Sequence, residues 1–309
     1  MNRLQKTVLL AAFAASSAWA AEPVADKGES LDVLRQRLAE RLGKGQVAVP
    51  VPVKGVTKSK AETARLGKKL EVKPATSGDT AAHLHWGYAG DAAPQHWAEI
   101  APENRQCAAG SRQSPIDIRD GIKVELAQIE FDYRPSGFAV IDTGHTVQVN
   151  LAGGNVLQVM GRRFELVQFH FHRPSEERIN GRQFDMVAHL VHKDAAGALG
   201  VVAVLLERGP GDKPHALVQA IWNNLPLEKG VPLSAPGLLD VSLLLPEDRS
   251  YFTYMGSLTT PPCSEGVLWM VMRSPATLSA QQLAIFSKLY PMNARPLQAG
   301  AGRLIKESQ

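Results

Sequence analysis

Cysteine is scarce: Cys107 and Cys263 are the only two in 309 residues. A pair leaves room for one disulfide at most, so the chain has no disulfide framework to substitute for a core. No segment beyond the N-terminus is apolar for long enough to cross a bilayer. Internal repeats are absent, and nothing in the composition is collagenous or of low complexity. The chain is long enough for a sizeable core in one large or two small domains. Positive charge is concentrated rather than spread. Residues 27–74 carry eight Lys and four Arg against five acids, a net of +7, while residues 1–26 balance to zero. The whole chain is +4, so residues 75–309 carry about −3 (4 minus 7). No aromatic residue interleaves the basic ones of 27–74. That lack of stacking surface argues against nucleic acid as a partner.

The first twenty residues, "MNRLQKTVLLAAFAASSAWA", have a basic start, an apolar run from Thr7 to Ala14 and a small-x-small ending at Ala18–Ala20. These features predict a signal peptide over 1–20, cleaved after Ala20, and export to the periplasm of a cell with two membranes. A membrane anchor is the alternative, but the apolar run is too short to span. In an oxidising compartment the lone cysteine pair favours one disulfide over two free thiols. It would close a long loop, worth roughly 5 kcal/mol by the chain-entropy model.

Residues 21–80 read as a basic extension. Leu31, Leu34, Leu38 and Leu42 form one stripe of a short amphipathic helix, followed by an extended "VAVPVPVKG" linker. Two readings of that helix stand level: it joins identical chains into a homo-oligomer or holds a partner, or it packs on its own body or frays. From about residue 81 to 309 the texture is that of one catalytic domain. The runs "TVQVNL", "VLQVM", "RRFELVQFHFH", "DMVAHLVH", "GVVAVLLE", "YFTYMG" and "GVLWMVMR" read as strands, and only "HALVQAIWNNL" and "SAQQLAIFSKLY" as helices. The expectation is a mainly β domain.

Within "QFHFHRPSEE", His170 and His172 are two apart and share one strand face, while Phe169 and Phe171 share the other. His189 lies on the next strand, and His192, three positions on, faces away from it. Three imidazoles from neighbouring strands with a fourth position open are the arrangement of a catalytic zinc site. An H-x-H pair is weak by itself, since satisfied core histidines and cupin-type metal sites also contain it.

"SLTTPPCSEG" (257–266), with "QFHFH", "AHLVH", "HWGY" (85–88), "RQSPIDI" (112–118) and "TGHTVQV" (143–149), resembles the α-class carbonic anhydrases in their bacterial exported form. The resemblance runs from Leu84 to Leu297. It implies a large central, mostly antiparallel twisted sheet with a few peripheral helices, Zn2+ as cofactor, and reversible hydration of carbon dioxide to bicarbonate and a proton. Carried over residue by residue, His170, His172 and His189 are the zinc ligands, and Gln168 supports His170. Thr259 orients the hydroxide, Glu176 accepts the Thr259 proton, and His145 is the proton shuttle. Val191, Val201, Leu258 and Trp269 form the apolar wall where carbon dioxide rests, and Thr260 and Tyr88 are polar lining residues. Cys107 and Cys263 match the family's disulfide.

Read alone, the four wall residues would be core, His145 a surface histidine and Glu176 a solvated turn acid. The alternative function is a non-catalytic binding or scaffold protein on the same fold; such relatives typically lack a zinc ligand. At one place the pattern departs from the family's. Where the family commonly has a glutamate two residues before the third ligand, this chain has Val187, and Glu177 stands where a histidine is common beside Glu176. A valine cannot accept a hydrogen bond, which predicts that the N–H of His189 opposite the metal lacks a carboxylate and that zinc is held weakly.

Overall fold

The computed structural model describes residues 85–308. The expected signal peptide over 1–20, and the helix and linker expected within 21–80, lie outside the described residues. Thirteen strands join into one twisted sheet. Its spine, in chain order, is β1 (Phe138–Asp142), β2 (Val147–Leu151), β3 (Arg162–His172), β4 (Met186–Asp194), β5 (Leu199–Arg208), β6 (Tyr251–Ser257) and β7 (Glu265–Met272). In space they run β1-β2-β3-β4-β5-β7-β6. Every neighbouring pair is antiparallel except β5–β7, which run parallel. The sheet is thus mixed, with antiparallel pairing dominant. All seven runs read as strands from the sequence are strands here.

Both faces are buried, and each has its own core. On one side Phe169, Phe171, Leu190, Val202 and Met270 pack against two helices, α3 (Ala216–Trp222) and α4 (Ala280–Leu289). Ser279 caps α4 through the N–H of Gln282, whose side chain accepts from the Ser279 N–H in return, so the helix starts where its first free donors find partners. On the other side Val187, Val201, Ala203, Val267, Trp269 and Val271 form a second cluster with Ile116, Ile118 and Phe184. This second face carries the histidines. Two further helices, α1 (Trp97–Ile100) and α2 (Gln106–Ala109), are single turns that no apolar period announces. They surround a third, small cluster of Trp97, Cys107 and Cys263. Cys107 and Cys263 are disulfide-bonded, as the sequence favoured.

A bulge sets the phase of the histidines. Val191 of β4 lies opposite Gln168, but His192 lies opposite Leu166, which leaves Val167 without a partner. One extra residue reverses the alternation along β3. Phe164 and Leu166 before it, and Phe169 and Phe171 after it, therefore all enter the same helical-side core. Without the extra residue, His170 and His172 would turn toward the helices.

Candidate metal centre

Cross-strand register brings the three imidazoles together. His189 lies directly opposite His170, and His172 lies opposite Val187, one step along the same face. The ring centroids stand 5.0 Å (His170–His172), 5.6 Å (His170–His189) and 4.8 Å (His172–His189) apart. One nitrogen from each ring falls within 4.8 Å of the others. His172 and His189 are about 1% exposed, and His170 is half-buried, so the centre opens to solvent along the His170 side.

Each ring has one nitrogen already engaged. His170 Nδ1–H donates to Gln168 Oε1 at 2.9 Å. His172 Nδ1–H donates to the backbone carbonyl of Asn293 at 2.8 Å. His189 Nε2–H donates to Glu177 Oε2 at 3.2 Å. These bonds set the tautomers and leave Nε2, Nε2 and Nδ1, respectively, as free lone pairs. His172 Nε2 is fully buried without a partner. An unpaired buried polar atom costs free energy, and a metal ion is the partner that three converging lone pairs fit.

The electrostatics favour neutral rings at two positions. Burial, helped by the neighbouring His189, pushes His170 down to about 3. Burial, then His189 and His170, hold His172 well below its ordinary value, against the pull of the Asn293 carbonyl. His189 differs: burial lowers it, but Glu177 and then Glu176 outweigh that and raise it overall. The expectation that His189 lacks a carboxylate is therefore overturned. Val187 is apolar and fully buried, as its side chain requires, but Glu177 reaches the N–H from the turn after β3.

Glu176 lies beside the same rings, 3.6 Å from His172 Nδ1 and 3.8 Å from His189 Nδ1. Its Oε1 accepts the N–H of Arg295 at 2.7 Å, while Oε2 is buried without a hydrogen-bond partner. Burial raises this carboxyl to about 7. His189 opposes that rise, Glu177 adds to it, and the Arg295 N–H and the nearby Thr259 hydroxyl hold it down. Thr259, itself buried, sits in the loop after β6, where Cys263 N–H bonds the carbonyl of Thr260 at 2.9 Å.

The structure brings Val191, Val201, Leu258 and Trp269 together on the histidine face of the sheet. Val191 pairs with Val201 across β4–β5, and Val201 with Trp269 across β5–β7, giving one row over three strands. Leu258 packs on the same cluster. The Trp269 ring meets His189 edge-on at 4.9 Å and donates Nε1–H to the carbonyl of Ser257 at 3.0 Å. Thr260 is half-buried beside Thr259. The Tyr88 hydroxyl is buried without a partner; burial, then the Glu176 charge, keeps its pKa far above 10. His192 faces the other core, sharing a 2.6 Å hydrogen bond with the Tyr133 hydroxyl.

His145 sits at the tip of the β1–β2 hairpin, just after Gly144, whose φ of +84° suits a residue without a Cβ. Its ring stacks on Trp86 at 3.7 Å, and its Nε2 shares a 2.8 Å hydrogen bond with Nε2 of His85. Burial first, then His85 and Lys229, push it down to about 4. The Asn293 side-chain amide donates to the carbonyls of both His145 and Phe171, so one residue ties the hairpin to β3.

Sequence reasoning missed His85, Asn293 and the role of Glu177. The "HWGY" stretch held a signal for His85. Nothing signalled Asn293, because it serves His172 through a backbone carbonyl that any residue would offer.

The family model for eukaryotic-type carbonic anhydrases matches residues 92–309. A carbonic anhydrase of Nostoc sp. is 40% identical over 239 residues, covering 75% of this chain and 89% of its own. One of Neisseria gonorrhoeae is 42% identical over 228 residues, covering 73% and 88%. The solved α-carbonic anhydrase of Thermovibrio ammonificans, in complex with the inhibitor sulfanilamide, superposes with a TM-score of 0.69 at 40% identity, over 73% of this chain and 99% of its own.

Proposed function

The chain belongs to the eukaryotic-type, or α, carbonic anhydrase family, and from that premise we propose that it hydrates carbon dioxide reversibly at a zinc ion held by His170, His172 and His189. The observation that carries the zinc reading is the set of three lone pairs left when each ring commits its other nitrogen to Gln168, Asn293 or Glu177. Zinc bound there would supply Lewis acidity, lowering the pKa of water to about 7; carbonic anhydrase is itself the reference case for that figure.

The remaining tasks fall to this chain's own groups. Glu176 Oε1 is occupied by the Arg295 N–H, so Oε2 is the oxygen available to the Thr259 hydroxyl. A hydroxyl that donates to a carboxylate can only accept from the attacking oxygen, and that fixes the direction of attack. A cation at the three imidazoles would favour the charged form of Glu176, which this arrangement needs. Val191, Val201, Leu258 and Trp269 offer carbon dioxide an apolar surface that holds it loosely, so little binding energy deepens the ground state. Protons leave by His145 Nε2, which is already joined to His85. Burial against Trp86 makes the stacked ring a weaker base, and a ring turned out to solvent would take up a proton more readily.

The N-terminal segment and the paired cysteines together support export to an oxidising compartment. All three ligands are present, which gives the binding-protein alternative no support. The test is metal analysis of the mature protein beside stopped-flow hydration, with His172→Ala as control: stoichiometric zinc and activity in the natural protein, and loss of both in the variant.

A further inference from the structure

We infer that Glu177 positions His189 in place of the residue at 187, so that the carboxylate holding the third imidazole comes from the turn after β3 and not from β4. The inference deepens the zinc reading and rests on it for its metal-binding consequence. Val187 is two residues before His189 on the same face, fully buried among Phe184, Val201 and Ala203, and has no side-chain atom that can accept a hydrogen bond. Glu177 is 0% exposed, and its Oε2 takes the Nε2–H of His189.

The turn that delivers Glu177 is clamped from both sides. The Ser175 hydroxyl donates to the Glu177 carbonyl at 2.8 Å and accepts the Phe184 N–H at 2.9 Å. The Ser175 N–H bonds the Phe184 carbonyl at 3.1 Å, and the Gln183 side chain bonds the Ser175 carbonyl at 3.0 Å. Arg178–Ile179 then pairs with Asp117–Ile118 and with Arg182–Gln183 in a separate small sheet. A carboxylate on so restrained a turn has little freedom to leave its imidazole.

The two departures from the family's pattern are therefore one exchange. An acid at 187 and an acid at 177 would both compete for a single N–H. Two buried carboxylates on one donor repel, and one is left without a partner. A valine at 187 is the residue compatible with Glu177, and its methyls fill the space in an apolar cluster.

The experiment compares the natural protein with Glu177→Val, Val187→Glu and the double exchange Glu177→His/Val187→Glu. Zinc loss to a chelator is followed in each. The His189 Nε2–H is followed separately by 15N NMR in the metal-free natural protein and in Glu177→Val, so this arm decides even if the natural chain fails to hold zinc. The inference predicts a slowly exchanging Nε2–H in the natural protein that disappears in Glu177→Val. It also predicts zinc loss about 10- to 100-fold faster in Glu177→Val, faster loss or a lower melting temperature in Val187→Glu, and recovery toward the natural rate in the double exchange. A merely structural role for Glu177 would give no recovery. An Nε2–H unchanged by Glu177→Val, unchanged zinc retention in Glu177→Val, or tighter retention in Val187→Glu alone would overturn it.

Discussion

Removing the Cys107–Cys263 bond is expected to cost the protein much of its stability and little of its site geometry. The two residues are 156 apart in sequence. In the chain-entropy model a loop of that length removes about 17 cal/mol/K from the unfolded ensemble, or about 5 kcal/mol at 25 °C. Residual structure in the unfolded chain reduces that figure, so about 2–5 kcal/mol is the expected loss. At about 2–4 °C per kcal/mol for a domain of this size, the melting temperature should fall by roughly 5–20 °C. The proper variant is Cys107→Ala/Cys263→Ala, because both sulfurs lie in an apolar cluster with Trp97 and serine would add a buried hydroxyl. The site itself has other restraints. Gln113 Nε2–H holds the Cys263 carbonyl at 3.0 Å, Arg295 Nη2–H holds the Cys107 carbonyl at 2.9 Å, and Cys263 N–H closes the turn onto Thr260. Hydration activity at 25 °C should therefore persist while the urea midpoint falls. A midpoint unchanged by the double substitution would refute the loop-entropy reasoning. Activity lost in a protein that is still folded would refute the claim that these hydrogen bonds hold the Thr259 loop.

Further expectations concern the proton path, the oriented hydroxyl and the buried guanidinium. His145→Ala should slow turnover far more in dilute buffer than in concentrated imidazole, and an equal loss in both would assign the proton path elsewhere. The His145 ring titrates at about 4 in the fold against about 6.5 when unfolded. The unfolded chain thus takes up the proton first: this residue favours the fold above pH 6.5, and that contribution is lost as pH falls from 6.5 toward 4. NMR should find its midpoint near 4 in the natural protein and higher in Trp86→Ala; a midpoint near 6.5 in the natural protein would contradict the stacked geometry. Thr259→Val keeps shape but removes the hydroxyl, and should lower kcat/KM about 100-fold with zinc content unchanged, whereas full activity would remove Thr259 from the mechanism. Arg295 donates to Gln113 Oε1 and to the carbonyls of Ser114 and Cys107. Arg295→Met leaves these acceptors bare and should cost about 3 kcal/mol in urea unfolding; a loss below about 0.5 kcal/mol would show that water replaces it.

Much of the fold was legible because strand alternation is a local property. The seven runs of alternating or apolar residues each became a strand. The bulge at Val167 was not legible, since an extra valine in "FELVQFHF" looks like any other apolar strand residue; only the pairing of Val191 and His192 with β4's neighbour reveals it. Helices α1 and α2 were hidden because four residues hold barely one turn of periodicity. At the site, the histidine spacing exposed the cluster of three imidazoles, since i and i+2 share a face. The sequence also showed correctly that Val187 offers no acceptor. What it could not show was that a turn would carry Glu177 to the other end of the same ring. That contact depends on how Ser175 clamps the turn to Phe184, a tertiary matter with no local sign. His145 was visible as a candidate, but its stacking on Trp86 and its bond to His85 join segments 60 residues apart.

The central claim is that three converging imidazole nitrogens, of His170, His172 and His189, hold one zinc ion that is required for hydration. One measurement addresses it most directly: zinc content and stopped-flow carbon dioxide hydration followed together, in the purified mature protein, through chelation and then zinc readdition. The account predicts one zinc per chain, activity that falls in step with the metal and returns with it, and neither zinc nor activity in His172→Ala. Undiminished hydration in the metal-free protein, or in His172→Ala, would contradict it.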